Sequence, residues 1–146
     1  TVTDKSMTRF MMTLDDAVEL VLYAFQEGNN GDILVQKSPA STIGNLIKAI
    51  LKIRKKENHE VLEIGIRHGE KIHEVLCSRE EMMVALDEER YYRIPVDARD
   101  LNYEKYFEVG DKTTKTIEDY RSDNTTRLDL KKMIDLLHKL PAFNNE

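Results

Sequence analysis

The chain has 146 residues, of which 40% are hydrophobic and 34% are charged, and its formal net charge is -5 at pH 7. A chain of this length buries roughly 70% of its unfolded surface, so we expect a single domain with a hydrophobic core over residues 1–146. The acidic balance and the lack of a clustered basic surface argue against a nucleic-acid-binding protein.

A helix and a strand are the first elements that the sequence predicts. Apolar residues recur at helical spacing over residues 14–27, and Gly28 ends the pattern. A turn at residues 29–32 leads into a short β-branched run, Ile33 to Lys37, which is typical of a strand. The apolar stripe of this first helix consists of Leu14, Ala17, Val18, Val21 and Phe25.

The second predicted helix begins at a hydroxyl side chain. Ser41 or Thr42 caps a run from Ile43 to Leu51 in which apolar residues lie three and four positions apart. Alternating apolar residues then predict a second strand over residues 61–66. The helix and the strand continue the alternation that the first two elements began.

Glycine and a capping pattern mark the next segment. Gly69 breaks the second strand, and a helix that carries Ile72, Val75 and Leu76 is expected to follow. Ser78 with Glu81 resembles a capping box inside that helix. We therefore expect the helix to bend or restart there.

The last predicted elements are a strand, a long connection and a helix. Residues 91–96 form a third strand, and a polar connection covers residues 97–126. The final helix has an apolar stripe from Leu130 to Leu137 and ends before Pro141. The chain thus divides into an α/β core, residues 1–96, and a polar loop with a C-terminal helix, residues 97–146.

The predicted order is α-β-α-β-α-β-loop-α, which is typical of strands joined by helical crossovers into a mixed or parallel sheet. Three short strands make a thin sheet, and four amphipathic helices have too little sheet to cover. We therefore expect the apolar face of the first or the last helix to remain partly uncovered. The chain should therefore pack against a partner, and that partner could be a second copy of the same chain.

Residues 66–76, IRHGEKIHEVL, contain the first candidate binding residues. Arg67 lies where a strand gives way to a glycine turn, and an arginine there can hold a phosphate in fork geometry. Glu70 lies near the expected helix start and could accept hydrogen bonds from a ribose. The alternative is a solvated turn in which Arg67 and Glu70 form a surface ion pair worth under about 1 kcal/mol.

Other chemistry receives less support from the residue types. His68, Glu70, His73 and Glu74 include metal-ligand types, but their spacing is not that of a zinc-binding helix, so we expect no metal site. Cys77 is the only cysteine, which excludes an internal disulfide and fits a reducing cytoplasm. It is expected to be a small core residue, since a catalytic nucleophile would need activating neighbours.

Glycine-rich phosphate loops and long apolar runs are absent from the sequence. No GxGxxG follows a predicted strand, so this chain is not expected to bind a dinucleotide by itself. No apolar run approaches the roughly 18 residues of a membrane span.

Arg9 precedes the first helix and is the second arginine at an element boundary, where it is either a phosphate contact or a solvated cation.

Five sequence blocks together resemble one family. They are MTRFMMTLDDAVELVLYAF, GDILVQKSPASTIGNL, IRHGEKIHEVLCSREEM, YYRIPVDARDLNYEKYF and YRSDNTTRLDLKKMIDLL. In this order they resemble the C-terminal part of the bacterial polysaccharide-biosynthesis enzymes of the extended short-chain dehydrogenase/reductase superfamily. That family includes NAD(P)-dependent UDP-N-acetylglucosamine 4,6-dehydratases and UDP-sugar 4-epimerases that make sugars for capsules and lipopolysaccharide O-antigen.

The resemblance implies a fold, a ligand and site residues. It implies the substrate-binding portion of an α/β enzyme whose Rossmann half, with the NAD(P) and the catalytic residues, is absent from this chain. It implies that Arg67 binds the diphosphate of a UDP-sugar and that Glu70 binds the nucleotide. Arg9 is implied as a second phosphate contact, and Arg99 as a further substrate-binding residue.

Two functions follow as hypotheses. The first is an enzyme fragment that is inactive alone and needs its Rossmann half; the start TVTDKSMTRF, without an initiator methionine, is what a piece of a longer protein would show. The second is a stand-alone module that binds UDP-sugars or a protein partner without chemistry. In either case we expect a cytoplasmic homo-oligomer with no catalytic, cofactor-binding or metal-binding residues of its own. The sequence does not distinguish dehydratase from epimerase.

Overall fold

A computed structural model describes residues 1–96 and 117–143, and these residues form a mixed α/β fold, as predicted. The strands are β1 (Thr8–Phe10), β2 (Ile33–Gln36), β3 (Ala40–Thr42), β4 (Val75–Cys77), β5 (Leu86–Glu88), β6 (Tyr91–Ile94) and β7 (Tyr120–Arg121). The helices are α1 (Leu14–Glu27), α2 (Ile43–Ile53), α3 (Arg79–Val84) and α4 (Leu130–Leu137), followed by a 3-10 turn (Pro141–Phe143).

The described residues divide into two compact units. The first unit contains residues 1–14, 38–75 and 121–143, and the second contains residues 15–37, 76–96 and 117–120. The predicted boundary between residues 96 and 97 divides the chain into two consecutive parts. The two compact units do not follow one another in this way, because each contains several separate segments of the chain. Each unit is therefore assembled from segments that are distant in sequence.

Two capped helices form the core of the first unit. The Thr42 side chain accepts a hydrogen bond from the Asn45 backbone at the start of α2, and the Asp129 side chain does the same for Lys132 at the start of α4. The two helices bury Ala49 and Met133 completely, together with neighbouring aliphatic residues of both stripes. Both predicted helices are confirmed, and the last helix is covered within its own unit.

An antiparallel sheet forms the framework of the second unit. Its strand order is β2-β6-β5, and Glu88 faces Tyr91 across a two-residue turn in which Glu89 has a φ of 32°. In the first unit β1 and β3 also pair antiparallel. The expected parallel pairing through crossovers is therefore wrong for these strands, which all pair antiparallel. Between β5 and β6 the two-residue turn permits only antiparallel pairing.

The predicted order of elements is also wrong between residues 61 and 77. Residues 61–66 form no strand; Glu63 makes one bridge to Val2, whose backbone bonds Leu62 and Ile64. The segment expected to be a helix contains β4 instead. Gly65, in a left-handed conformation with φ 84°, interrupts the expected strand. In the expected helix the Ile72 and Glu74 carbonyls instead accept from the backbones of Thr8 and Ser122, which holds the segment extended.

The predicted restart at residue 78 is confirmed. The Ser78 side chain accepts from the Glu81 backbone, and the Glu81 carboxylate accepts from the Ser78 backbone, so both halves of the capping box are present at the start of α3. Among the described helices none combines the length and the apolar character that crossing a bilayer would need.

Candidate functional site

The turn at residues 67–70 is held by its own backbone and by one carboxylate. The Glu70 backbone donates to the Arg67 carbonyl at 3.1 Å, and the Glu70 carboxylate accepts from the Arg67 backbone at 3.2 Å. A Cβ atom at Gly69 would meet nothing within 4 Å, so glycine is required there by its φ of 81° and not by lack of space. We call residues 67–70 the Arg67 turn.

The Arg67 turn presents its arginine to solvent. Arg67 is exposed, and among the described residues its guanidinium forms no ion pair. The alternative of a surface ion pair between Arg67 and Glu70 is not formed, and the Glu70 carboxylate accepts from the Arg67 backbone instead. The next element after this turn is the strand β4, so the expectation that Glu70 lies near a helix start is wrong.

Arg9, the second predicted site residue, is bound to the segment that follows the turn. Its Nη1 donates to the carbonyls of Thr8 at 2.7 Å and Ile72 at 3.2 Å, and its Nη2 donates to the Lys71 carbonyl at 3.0 Å. Its Nε lies 3.4 Å from the Glu74 carboxylate. Arg9 is therefore a clamp that fixes residues 71–74 on β1, and it is not a solvated cation.

The predicted site residues thus differ in their tasks. Arg67 extends from the turn with its side chain unpaired among residues 1–96 and 117–143, whereas Arg9 is saturated by carbonyls and a carboxylate. Glu70 shapes the turn through one carboxylate oxygen. Arg99 lies outside the described residues.

A polar network next to this segment was not foreseen from the sequence. The Thr8 hydroxyl lies 2.8 Å from His73 Nδ1 and 2.6 Å from the Ser122 hydroxyl. Thr8 is buried in a three-residue strand and Ser122 in the turn after a two-residue strand, where no periodic pattern can develop. The sequence marks His73 only as a metal-ligand residue type, and no cluster of three or more metal-ligand side chains occurs among the described residues.

A groove of about 940 Å³ opens elsewhere in the first unit. It lies beside the start of α2 and is lined in part by Lys5, Thr42, Lys48 and Arg127. None of the described predicted site residues lines it. The first backbone N–H groups of α2 are already bonded to the carbonyls of Met7 and Lys5 and to the Thr42 side chain, so they are not free to hold an anion.

Cys77 in the second unit is chemically inert in this fold. It is buried, and burial together with the nearby Glu81 charge raises the pKa of its thiol to about 11. At neutral pH the thiol therefore stays protonated, and the thiolate is the reactive form. The expectation of a small core residue is confirmed.

Comparison with known proteins assigns the chain to a family. Residues 1–96 match the model of a family described as polysaccharide biosynthesis protein, and residues 97–143 match the model described as polysaccharide biosynthesis protein C-terminal. Over all 146 residues the chain is 56% identical to the UDP-glucose 4-epimerase of Rickettsia rickettsii (strain Sheila Smith) and 53% identical to that of Rickettsia prowazekii (strain Madrid E). It spans 42% of the length of each of these curated relatives.

A solved structure agrees with this assignment. The chain superimposes on the X-ray structure of Pen from Bacillus thuringiensis with a TM-score of 0.75 and 28% sequence identity, covering 95% of this chain and 39% of that one. The resemblance drawn from the five sequence blocks is confirmed. With a family model matching residues 1–96 and a C-terminal model matching the rest to residue 143, this chain belongs to the family of polysaccharide biosynthesis proteins and corresponds to their C-terminal part.

Proposed function

We propose that this chain is the nucleotide-sugar-binding part of an NAD(P)-dependent enzyme that acts on UDP-glucose or UDP-N-acetylglucosamine. The proposed reaction is 4-epimerisation or 4,6-dehydration of the sugar, which would supply building blocks for polysaccharides of the capsule or O-antigen type. The relatives named UDP-glucose 4-epimerase favour epimerisation. The chain spans 42% of their length, and we propose that the whole activity belongs to a longer polypeptide.

The exposed guanidinium of the Arg67 turn carries this proposal. A diphosphate needs a cation with several fixed donors, and a planar arginine fork supplies them. The turn keeps the Arg67 backbone in place through Glu70 while leaving the side chain available. The second Glu70 carboxylate oxygen is then a suitable acceptor for the ribose hydroxyl groups.

Arg9 and Arg99 have supporting parts in this proposal. Arg9 lies next to the segment that follows the turn, but a direct bond to phosphate requires it to release one of the carbonyls of Lys71 or Ile72. Its first task is therefore to hold that segment, and a phosphate contact is secondary. Arg99 stays a prediction based on the resemblance.

We propose that catalysis requires a part outside the described residues of this chain. Epimerisation and dehydration of a nucleotide sugar both use hydride transfer, and hydride transfer needs a bound nicotinamide and an acid/base residue. We assign no catalytic or cofactor-binding residue to the described part of this chain. The Rossmann half of the longer polypeptide is proposed to hold the NAD(P).

The exposed face of α1 supports the packing of this chain on a partner. Val18, Val21 and Leu22 are about half exposed, and Phe25 is 84% exposed. A contiguous apolar face of this kind usually marks an interaction surface. We propose that the rest of the polypeptide covers this face. In the alternatives, a second copy of the chain covers it in a homo-oligomer, or a protein partner covers it when the chain is a stand-alone binding module.

A chimera tests the proposed function. This chain replaces the matching residues of the R. rickettsii relative, which supplies the remaining part. We expect the chimera, with NAD added, to interconvert UDP-glucose and UDP-galactose or to dehydrate UDP-N-acetylglucosamine, and the isolated chain to do neither. Nuclear magnetic resonance of the sugar products measures both reactions. A folded chimera with neither activity, or turnover by the isolated chain, would contradict the proposal.

A further inference from the structure

Four side chains form a polar network next to the segment that follows the Arg67 turn: Thr8, His73, Ser122 and Asp123. We call it the Thr8 network. Thr8 is 1% exposed and Ser122 is 0% exposed, so their hydroxyl groups cannot exchange these partners for water. His73 connects them to the surface, because its Nδ1 faces Thr8 and its Nε2 lies 3.9 Å from the Asp123 carboxylate.

The protons of the network can be placed when the imidazole is neutral. Ser122 Oγ accepts from the Glu74 backbone at 2.9 Å and has one proton to donate. If Ser122 donates to Thr8 Oγ1, Thr8 donates to His73 Nδ1, and the remaining His73 proton on Nε2 faces Asp123. Every hydroxyl group then has both a donor and an acceptor role.

The protons can also be placed when the imidazole is charged. His73 Nδ1–H then donates to Thr8 Oγ1, Thr8 donates to Ser122 Oγ, and Ser122 donates to the Thr8 carbonyl at 3.1 Å. Asp123 faces the second imidazole proton in this arrangement too. The bond between His73 and Thr8 therefore persists in both protonation states, with its direction reversed.

The network is connected to the predicted ligand site through the backbone. His73 and Glu74 directly follow the two carbonyls that Arg9 holds, and the Thr8 carbonyl that Ser122 approaches also accepts from Arg9. The Thr8 backbone donates to the Ile72 carbonyl at 3.0 Å. The chain that leaves the Arg67 turn is thus fixed on β1 by a clamp and by a buried side-chain network.

We infer that His73 is a positioning residue for the Arg67 turn, holding residues 71–74 against β1 through Thr8 so that Arg67 meets a diphosphate in one orientation. His73 itself does not touch the ligand in this assignment. The inference rests on the proposed function, because it adds a residue to the same nucleotide site. A positioning role for His73 differs from a role in stability alone. Positioning requires the affinity for the nucleotide to depend on the bond between His73 and Thr8.

Two substitutions at residue 73 separate positioning from stability. In His73→Asn the side-chain amide reaches the place of Nδ1 and retains a bond to Thr8, whereas His73→Leu has a similar volume and no such bond. Titrating UDP into the chimera, we expect His73→Leu to raise Kd about tenfold, because the buried Thr8 hydroxyl loses one of its two partners and residues 71–74 lose a bond to β1. We expect His73→Asn to stay within about threefold of the unsubstituted chimera, because it still bonds Thr8. Thermal unfolding of all three proteins measures the stability.

A second measurement uses the unsubstituted chimera and does not depend on the folding of a variant. Ring nitrogen resonances of His73 should shift as UDP saturates the site, and those of His138, at the end of α4, should not. If UDP binding is saturable, the His73 ring nitrogen resonances do not shift, and all three proteins have equal Kd values, this inference is overturned and the proposed function is not. No saturable UDP binding by the unsubstituted chimera would overturn the proposed function, and the inference with it.

Discussion

Helices α1 and α4 have the same type of amphipathic sequence and opposite environments. The stripe of α4 is buried against α2, with Met133 completely enclosed. The stripe of α1 is exposed, because α1 contacts its own unit through a different face. There Tyr23 stacks on Tyr91 at 4.3 Å and donates to Glu88 at 2.8 Å.

The difference shows what an amphipathic pattern establishes. The pattern predicts a helix and identifies its apolar face, but it does not identify the surface that covers that face. For α4 the cover is another helix of this chain. For α1 we propose that the cover is the remaining part of the longer polypeptide, which is consistent with a chain that spans 42% of its relatives.

The largest expected effect tests the buried helix against the exposed one. Met133→Ala should lower the free energy of unfolding of the isolated chain by about 2–5 kcal/mol, because it leaves a cavity in a closed core. Phe25→Ala removes a larger side chain but should change it by less than about 0.5 kcal/mol, because Phe25 is exposed. Urea unfolding measures both. Similar losses of unfolding free energy for the two variants would contradict the distinction between a buried α4 and an exposed α1.

Phe25→Glu in the chimera should have the next largest effect. If the rest of the polypeptide covers α1, burying a phenylalanine there is worth about 1.5–3 kcal/mol, and a buried carboxylate opposes it. The chimera should therefore lose at least that much stability, while the isolated chain with Phe25→Glu should be almost unaffected. Thermal unfolding of both pairs is the measurement, and equal effects would show that α1 has no intramolecular cover.

Tyr23→Phe tests the contact that α1 does make. Phenylalanine keeps the ring stacked on Tyr91 and loses the hydrogen bond to Glu88, which should cost about 0.5–1.5 kcal/mol. Tyr92→Phe is the matched control, since the Tyr92 ring packs edge-on against Tyr120 and that ring is retained. Chemical denaturation of the isolated chain compares the two. If the control costs as much as Tyr23→Phe, the Glu88 bond does not secure α1.

The smallest expected effect concerns acid in the unit that contains α4. The Arg121 guanidinium, with a smaller contribution from His73, holds the pKa of Asp123 below its usual range. A lowered folded-state pKa adds stability above the ordinary pKa of about 4, and this stability is lost as the pH falls through the lowered value. Asp123→Asn should remove that part of the acid dependence, which is under about 1 kcal/mol because the pair is partly exposed.

A titration of stability between neutral pH and pH 2 checks this expectation. Asp129→Asn serves as the control, because an asparagine can still cap α4. The unsubstituted chain and the control should lose stability more steeply below about pH 4 than Asp123→Asn does. Identical curves for Asp123→Asn and the unsubstituted chain would show that Arg121 does not stabilise the Asp123 carboxylate.

Long helices and capping residues were the predictable part of the fold. The stripes of α1, α2 and α4 extend over two or more turns, so the helical period is visible in the sequence. Strands β1, β3, β4, β5 and β7 have two or three residues, which is too short for an alternating pattern. The pairing partners of such strands depend on contacts that are distant in sequence.

The candidate site was predictable in its residues and not in their geometry. Arg67, Gly69 and Glu70 could be selected because they cluster at an element boundary. The role of Arg9 as a clamp could not, since it depends on carbonyls that lie 62 and 63 positions away. In the Thr8 network Thr8 bonds Ser122 across 114 positions, and no local pattern marks these residues.

The affinity of the chimera for UDP, with and without Arg67, tests the proposed nucleotide site most directly. Calorimetric titration should show that Arg67→Ala weakens binding by about 2–5 kcal/mol, because a diphosphate in a partly dehydrated site loses its partner. Arg67→Lys should recover only part of this, since an ammonium group lacks the planar fork. Arg79→Ala, at an exposed arginine of α3, should leave Kd unchanged. An unchanged Kd in a folded Arg67→Ala chimera would contradict the assignment of the Arg67 turn to the nucleotide.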